Sequence, residues 1–98
     1  MGKIRWTEES ELWLRDIHDY IALDSPEAAQ KVAAGIYDRA QILAKLPKIG
    51  HIYRFEPEGE IRILLYGHYR IAYLLKKDKR VEILGVFHGS LDIDRYLP

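Results

Sequence analysis

The side chains with chemistry in reach are four histidines, three serines and a lysine-rich tetrad, and their spacing decides what each can do. His51, His68 and His88 fall on three separate segments. None has the paired spacing that sets two imidazoles on one helix face toward a metal ion. No glycine cluster opens a helix, so no loop is built to cradle a phosphate. Ser10, Ser25 and Ser90 have no histidine–acid frame in the sequence, and Ser25, standing before Pro26-Glu27, reads as a helix cap. His88 ends an apolar run just before Gly89. An unperturbed imidazole titrates near pH ~6.5, which suits proton transfer, but the simpler reading is a strand end whose ring caps backbone groups. Lys76, Lys77, Lys79 and Arg80 surround Asp78. They read as a solvated hairpin tip that discourages edge pairing, with an electrostatic contact to DNA as the sharper alternative. Neither a metal nor a cofactor is expected.

These groups must be carried by 98 residues, which is one domain over residues 1–98 and too little chain for an enclosed cofactor cleft. Fifteen Lys+Arg against 15 Asp+Glu leaves a formal net charge of zero. A dedicated nucleic-acid binder usually carries a strong basic excess, because phosphate neutralisation dominates its affinity. With 48% hydrophobic and 31% charged residues the chain is of globular composition. The absence of cysteine fits a reducing compartment. Met1-Gly2-Lys3-Ile4-Arg5-Trp6 runs straight into a strand pattern, so no signal peptide is expected. The apolar runs 63–66 and 71–75 are far too short to cross a bilayer. A cytoplasmic protein without a membrane partner is expected.

Ile4 and Trp6 alternate with charged residues as a short first strand. Thr7 then offers an N-cap, Glu8 and Glu9 suit the helix dipole, and Leu14, Ile17 and Ile21 follow at helical spacing to about residue 23. Ser25-Pro26-Glu27 opens a second helix with Val32, Ile36, Leu43 and Leu46 on its apolar face. The short connection makes the two helices an antiparallel hairpin, and Gly35 is expected to let them approach closely. Residues 47–59, with Pro47, Gly50, Pro57 and Gly59, read as an irregular connection. The period then changes to two, giving strands that end at Gly67-His68 and at Lys76-Lys77-Asp78-Lys79, and a third over 81–87. The fold class is α+β: an N-terminal strand and a helix hairpin packed on a small antiparallel sheet, β-α-α-β-β-β. Ile17, Ile36, Leu43, Ile63, Ile71 and Ile83 are expected in one core between the layers.

The pieces Arg5-Trp6-Thr7, Ile17-His18-Asp19-Tyr20-Ile21-Ala22, Ser25-Pro26-Glu27-Ala28-Ala29 and Leu46-Pro47-Lys48-Ile49-Gly50 occur in order along the chain. They are followed by Gly67-His68-Tyr69-Arg70-Ile71-Ala72-Tyr73 and Val81-Glu82-Ile83-Leu84-Gly85-Val86-Phe87-His88-Gly89. In this order and spacing the chain resembles the ParE toxins of the RelE/ParE superfamily, known also as plasmid stabilisation proteins, over nearly its whole length. The resemblance implies the toxin of a type II toxin–antitoxin module. ParE-like members poison DNA gyrase by binding, whereas RelE-like members cleave mRNA on the ribosome, and the shared fold does not choose between them. Gly85 stands where ParE-like sequences often carry an arginine, and Ser90-Leu91 where they often carry two. An inactive homologue that still binds its antitoxin is therefore a further alternative.

The RNase alternative needs a base, an acid and cations around a scissile phosphate. Its candidates are Arg62, Arg70, His88, Arg95 and Tyr96, with Arg62 and Arg70 expected to share one sheet face. The resemblance also implies a cognate antitoxin from an adjacent gene. Leu12 and Leu23 project opposite the Leu14–Ile17–Ile21 stripe, and Leu91, Ile93 and Leu97 follow the last strand with no evident packing partner. These five are the expected antitoxin-binding residues, because grouped exposed apolar side chains mark docking surfaces.

Overall fold

Thr7 joins the first strand to the first helix. Its backbone N–H and its hydroxyl both donate to the Ile83 carbonyl, at 3.1 and 2.8 Å. Its Oγ1 accepts from the Ser10 N–H at 3.1 Å, and buried Ser10 donates back to the Thr7 carbonyl at 2.7 Å. The cap thus fixes both where α1 begins and where it stands against the sheet. The computed structural model describes residues 3–97; Met1 and Gly2 of the N-terminal reading, with Pro98, lie outside them. The elements are β1 (Ile4–Trp6), α1 (Glu8–Ala22), α2 (Pro26–Gln41) with a 3-10 turn at Ile42–Ala44, β2 (His51–Glu56), β3 (Gly59–Tyr66), β4 (Tyr69–Lys76), β5 (Val81–His88) and a 3-10 turn at Ile93–Arg95. Ser25 caps α2 by accepting from the Ala28 N–H at 3.1 Å.

The five-stranded sheet runs β1-β5-β4-β3-β2, with β1 parallel to β5 and every other pair antiparallel. The α+β class and the helix pair on a sheet are as expected. Strand β2 is an addition, in a stretch expected to be irregular. A bulge between Ile52 and Arg54 breaks its two-residue period, so alternation does not reveal it.

Both faces of the sheet are apolar and both are covered. The helix-side core holds Ile36, Ala40 and Leu43 against Leu64, Ile71, Tyr73, Leu75, Val81, Ile83 and Val86, with Ile17 packed at its margin. The opposite core holds Ile61, Ile63, Ala72, Leu74 and Phe87, roofed by Ile93 and Leu97 of the C-terminal segment. Ile63 therefore belongs to the outer core, not the helix-side one. The expectation that Leu91, Ile93 and Leu97 lack partners is likewise corrected. Ile93 is 3% and Leu97 9% exposed, and half-buried Leu91 packs against the same cluster, because a two-faced sheet needs a second cover.

Gly35 has a different neighbour from the expected one. A Cβ there would stand 1.9 Å from the Tyr66 hydroxyl, so the glycine makes room for the Tyr66 ring of β3.

Candidate functional site

Arg62 and Arg70 occupy opposite faces of the sheet. Side chains alternate along a strand. On β3, Arg62 shares the helix side with Leu64 and Tyr66, opposite Tyr73 in register. Arg70 pairs with Leu65 and Phe87 on the outer side. The expected shared face is absent because the two arginines have opposite parity across the β3–β4 pairing.

Each guanidinium is engaged with backbone. Arg62, buried, donates Nη1 to the carbonyls of Lys48 at 3.0 Å and Gly50 at 2.6 Å, and Nε to Glu60 at 2.8 Å. Arg70 donates Nη2 to the carbonyls of Gly89 at 3.2 Å and Leu91 at 2.7 Å, while its Nε is buried with no partner among the described residues. Together with the Tyr53 hydroxyl, which bonds Asp94, Arg70 holds the C-terminal segment over the outer core. The Asp94 carboxylate, accepting that bond, pushes the Tyr53 phenol above its ordinary value.

His88 lies on β5 opposite Tyr69, whose ring meets it edge-on with centroids 5.7 Å apart. The Ser90 N–H donates to His88 Nδ1 at 3.2 Å, and Ser90 Oγ lies 2.9 Å from the same nitrogen. The imidazole thus caps the turn that follows its strand. His68, from the β3–β4 turn, stacks on His88 with centroids 6.3 Å apart. His68, Arg70, His88 and Ser90 border a depression of about 360 Å³ at the end of the sheet. Arg62 is not part of it. Its register partner Tyr73 and that of His88 are four residues apart along β4, about 13 Å at ~3.3 Å per residue. Arg95 is exposed in the last 3-10 turn, and Tyr96 packs on Trp13 and Phe87, with centroids at 5.1 and 5.9 Å. Of the five RNase candidates, the fold brings only Arg70 and His88 to one place. It adds His68, whose place could have been read from the short β3–β4 turn, which sets it beside the Tyr69–His88 pair.

Gly85 is buried beneath the Phe87 ring: a Cβ there would stand 2.4 Å from the ring carbon Cζ. Phe87 is itself held by Trp13, centroids 4.7 Å apart, and by Tyr96. No group of three or more His, Asp or Glu among the described residues is placed to hold a metal ion. No helix among them is long and apolar enough to cross a membrane.

The helix hairpin on this sheet is the architecture of the RelE/ParE superfamily of toxin–antitoxin proteins. Among solved structures, the chromosomal ParDE toxin–antitoxin system of P. aeruginosa superposes with a TM-score of 0.72 at 24% identity, over 90% of this chain and 96% of that one. The toxin–antitoxin complex RelBE2 of Mycobacterium tuberculosis superposes with a TM-score of 0.55 at 25% identity, over 89% and 96%. The chain is 37% identical over 87 residues to the toxin candidate Y4kP of Sinorhizobium fredii, covering 89% of this chain and 88% of that protein. Residues 4–93 match the family model described as ParE toxin of type II toxin-antitoxin system, parDE. The chain belongs to the ParE toxin family.

Proposed function

We propose that this ParE-family chain acts in the cytoplasm as a toxin that binds and poisons DNA gyrase, and that a small cognate antitoxin from an adjacent gene neutralises it. The observation that favours binding over RNA cleavage is the use made of the arginines. Phosphodiester cleavage requires cations aimed at one phosphate, whereas Arg62 and Arg70 lie on opposite faces and bond backbone carbonyls. Leu12 and Leu23, 52% and 82% exposed on and just after α1, are antitoxin contacts in this reading, while Ile93 and Leu97 act from within the core. A second reading, a RelE-like ribosome-dependent mRNA endonuclease, draws on the His68–His88 stack beside Arg70. Expression in a bacterial host separates the two. The gyrase reading expects filamentation and DNA-damage signalling that survive His88→Ala. Site-specific mRNA cuts in a translation extract, abolished by His88→Ala, would replace it with the endonuclease.

A further inference from the structure

The helical layer stops short of β2. Its last turn, the loop 45–49 and the far ends of β2, β3 and β4 enclose a groove of about 1110 Å³. Leu46, Ile49 and Phe55 line it with 51%, 43% and 70% of their surfaces exposed, over the side chain of Leu75. Lys45, Lys48, Lys77 and Lys79 stand around this apolar lining, and none makes an ion pair among the described residues. Lys76 lies there too but is drawn to Glu82 at 3.3 Å. The two carboxylates in the wall are already matched, Glu56 by Arg54 at 3.0 Å and Glu60 by Arg62 at 2.8 Å. The groove therefore presents uncompensated positive charge around apolar surface, in a chain whose net charge is zero.

We propose that this groove is a docking site for an acidic amphipathic segment of the antitoxin, laid in as a helix with its apolar side chains on Phe55, Ile49 and Leu46 and its carboxylates toward the lysines. The proposal rests on the antitoxin reading above and adds to it the surface and the chemistry of the bound segment. Helix-in-groove recognition needs this combination: apolar anchors for affinity, and complementary charge at the margin for orientation and rate. Duplex DNA fits the lysines but has nothing to place on three exposed apolar side chains, since phosphate contacts supply its affinity. None of these apolar residues was among the expected antitoxin contacts. Phe55 and Ile49 fall in the stretch that reads as irregular, where the sequence marks no face.

Titration calorimetry of the full-length toxin with the full-length product of the adjacent gene tests the proposal. The pair Ile49→Ser with Phe55→Ser, at exposed positions and with a melting temperature to match the parent's, is expected to weaken binding ~30-fold or more, the scale of an interface hot spot. The pair Lys48→Glu with Lys77→Glu is expected to weaken it ~10-fold and to flatten its salt dependence, the signature of lost charge complementarity. Wild-type affinity in both variants, with loss only in Leu12→Ser with Leu23→Ser, overturns the groove and leaves the antitoxin reading standing. A wild-type toxin that binds no adjacent gene product removes the antitoxin reading and the groove with it. Duplex DNA binding that disappears in the charge-reversed pair, while antitoxin affinity stays unchanged, assigns the lysines to nucleic acid instead.

Discussion

Arg62 and Tyr73 face each other across β3 and β4, and between them they bind the backbone of the loop that leads into β2. The Tyr73 hydroxyl donates to the Pro47 carbonyl at 2.7 Å and accepts from the Gly50 N–H at 3.0 Å. Arg62 takes the carbonyls of Lys48 and Gly50. The arginine expected to meet a phosphate is a structural clamp, and the loop it holds is one wall of the lysine-bordered groove.

Tyr73→Phe keeps the buried ring and removes both bonds, leaving a donor and an acceptor without their partner. The expected cost is about 1–3 kcal/mol, read as a lower urea midpoint with an unchanged slope. A midpoint equal to that of the parent would show that the clamp contributes nothing to stability.

The C-terminal segment is a structural cover. Ile93→Ala should cost about 2–5 kcal/mol, as for other buried isoleucines. Ending the chain after Ser90 should expose Ile61, Ile63 and Phe87 and produce binding of a hydrophobic dye. A truncated chain that melts like the parent and binds no dye would contradict the outer core.

Gly85→Arg restores the residue type often found here in ParE-like sequences. In this chain it collides with Phe87, which Trp13 and Tyr96 hold in place. Overpacking of this kind costs about 1–3 kcal/mol, so thermal stability should fall. Coupling Gly85→Arg with Phe87→Leu should cost less than the sum of the two separate changes.

Glu82 is expected to contribute to acid stability. The Arg5 guanidinium at 2.8 Å, with Lys76 beside it, holds the carboxyl below the ordinary glutamate value of 4.5, against the opposing effect of burial. The folded state thus binds fewer protons than the unfolded chain just below that value. The stabilisation is complete above pH 4.5 and is lost as pH falls through the lower folded value. Glu82→Gln should therefore show a shallower acid limb in a plot of stability against pH. Superimposable acid limbs would remove Glu82 from the account.

The caps at Thr7 and Ser25 and the strands β3, β4 and β5 were legible because each writes a local signal: a hydroxyl before an acidic turn, or a two-residue period between turns. The family was legible for a related reason, since most of its motifs sit on those caps and strands and on the helix that the first cap begins. What the sequence concealed is two-sidedness. Ile61, Arg62, Ile63 and Leu64 are all buried, so alternation along β3 does not say which face meets the helices. Without that parity, neither the opposite faces of Arg62 and Arg70 nor the packing of Leu91, Ile93 and Leu97 on the outer face can be read from the sequence. The bulge in β2 hid both the edge strand and the apolar residues Phe55 and Ile52.

Purified toxin added to DNA gyrase and relaxed plasmid, with and without antitoxin, is the most direct test of the central claim. The account predicts loss of supercoiling with accumulation of cleaved plasmid, reversal by antitoxin, and the same result for His88→Ala. Full supercoiling at saturating toxin, together with mRNA cleavage by the same preparation on ribosomes, would contradict it.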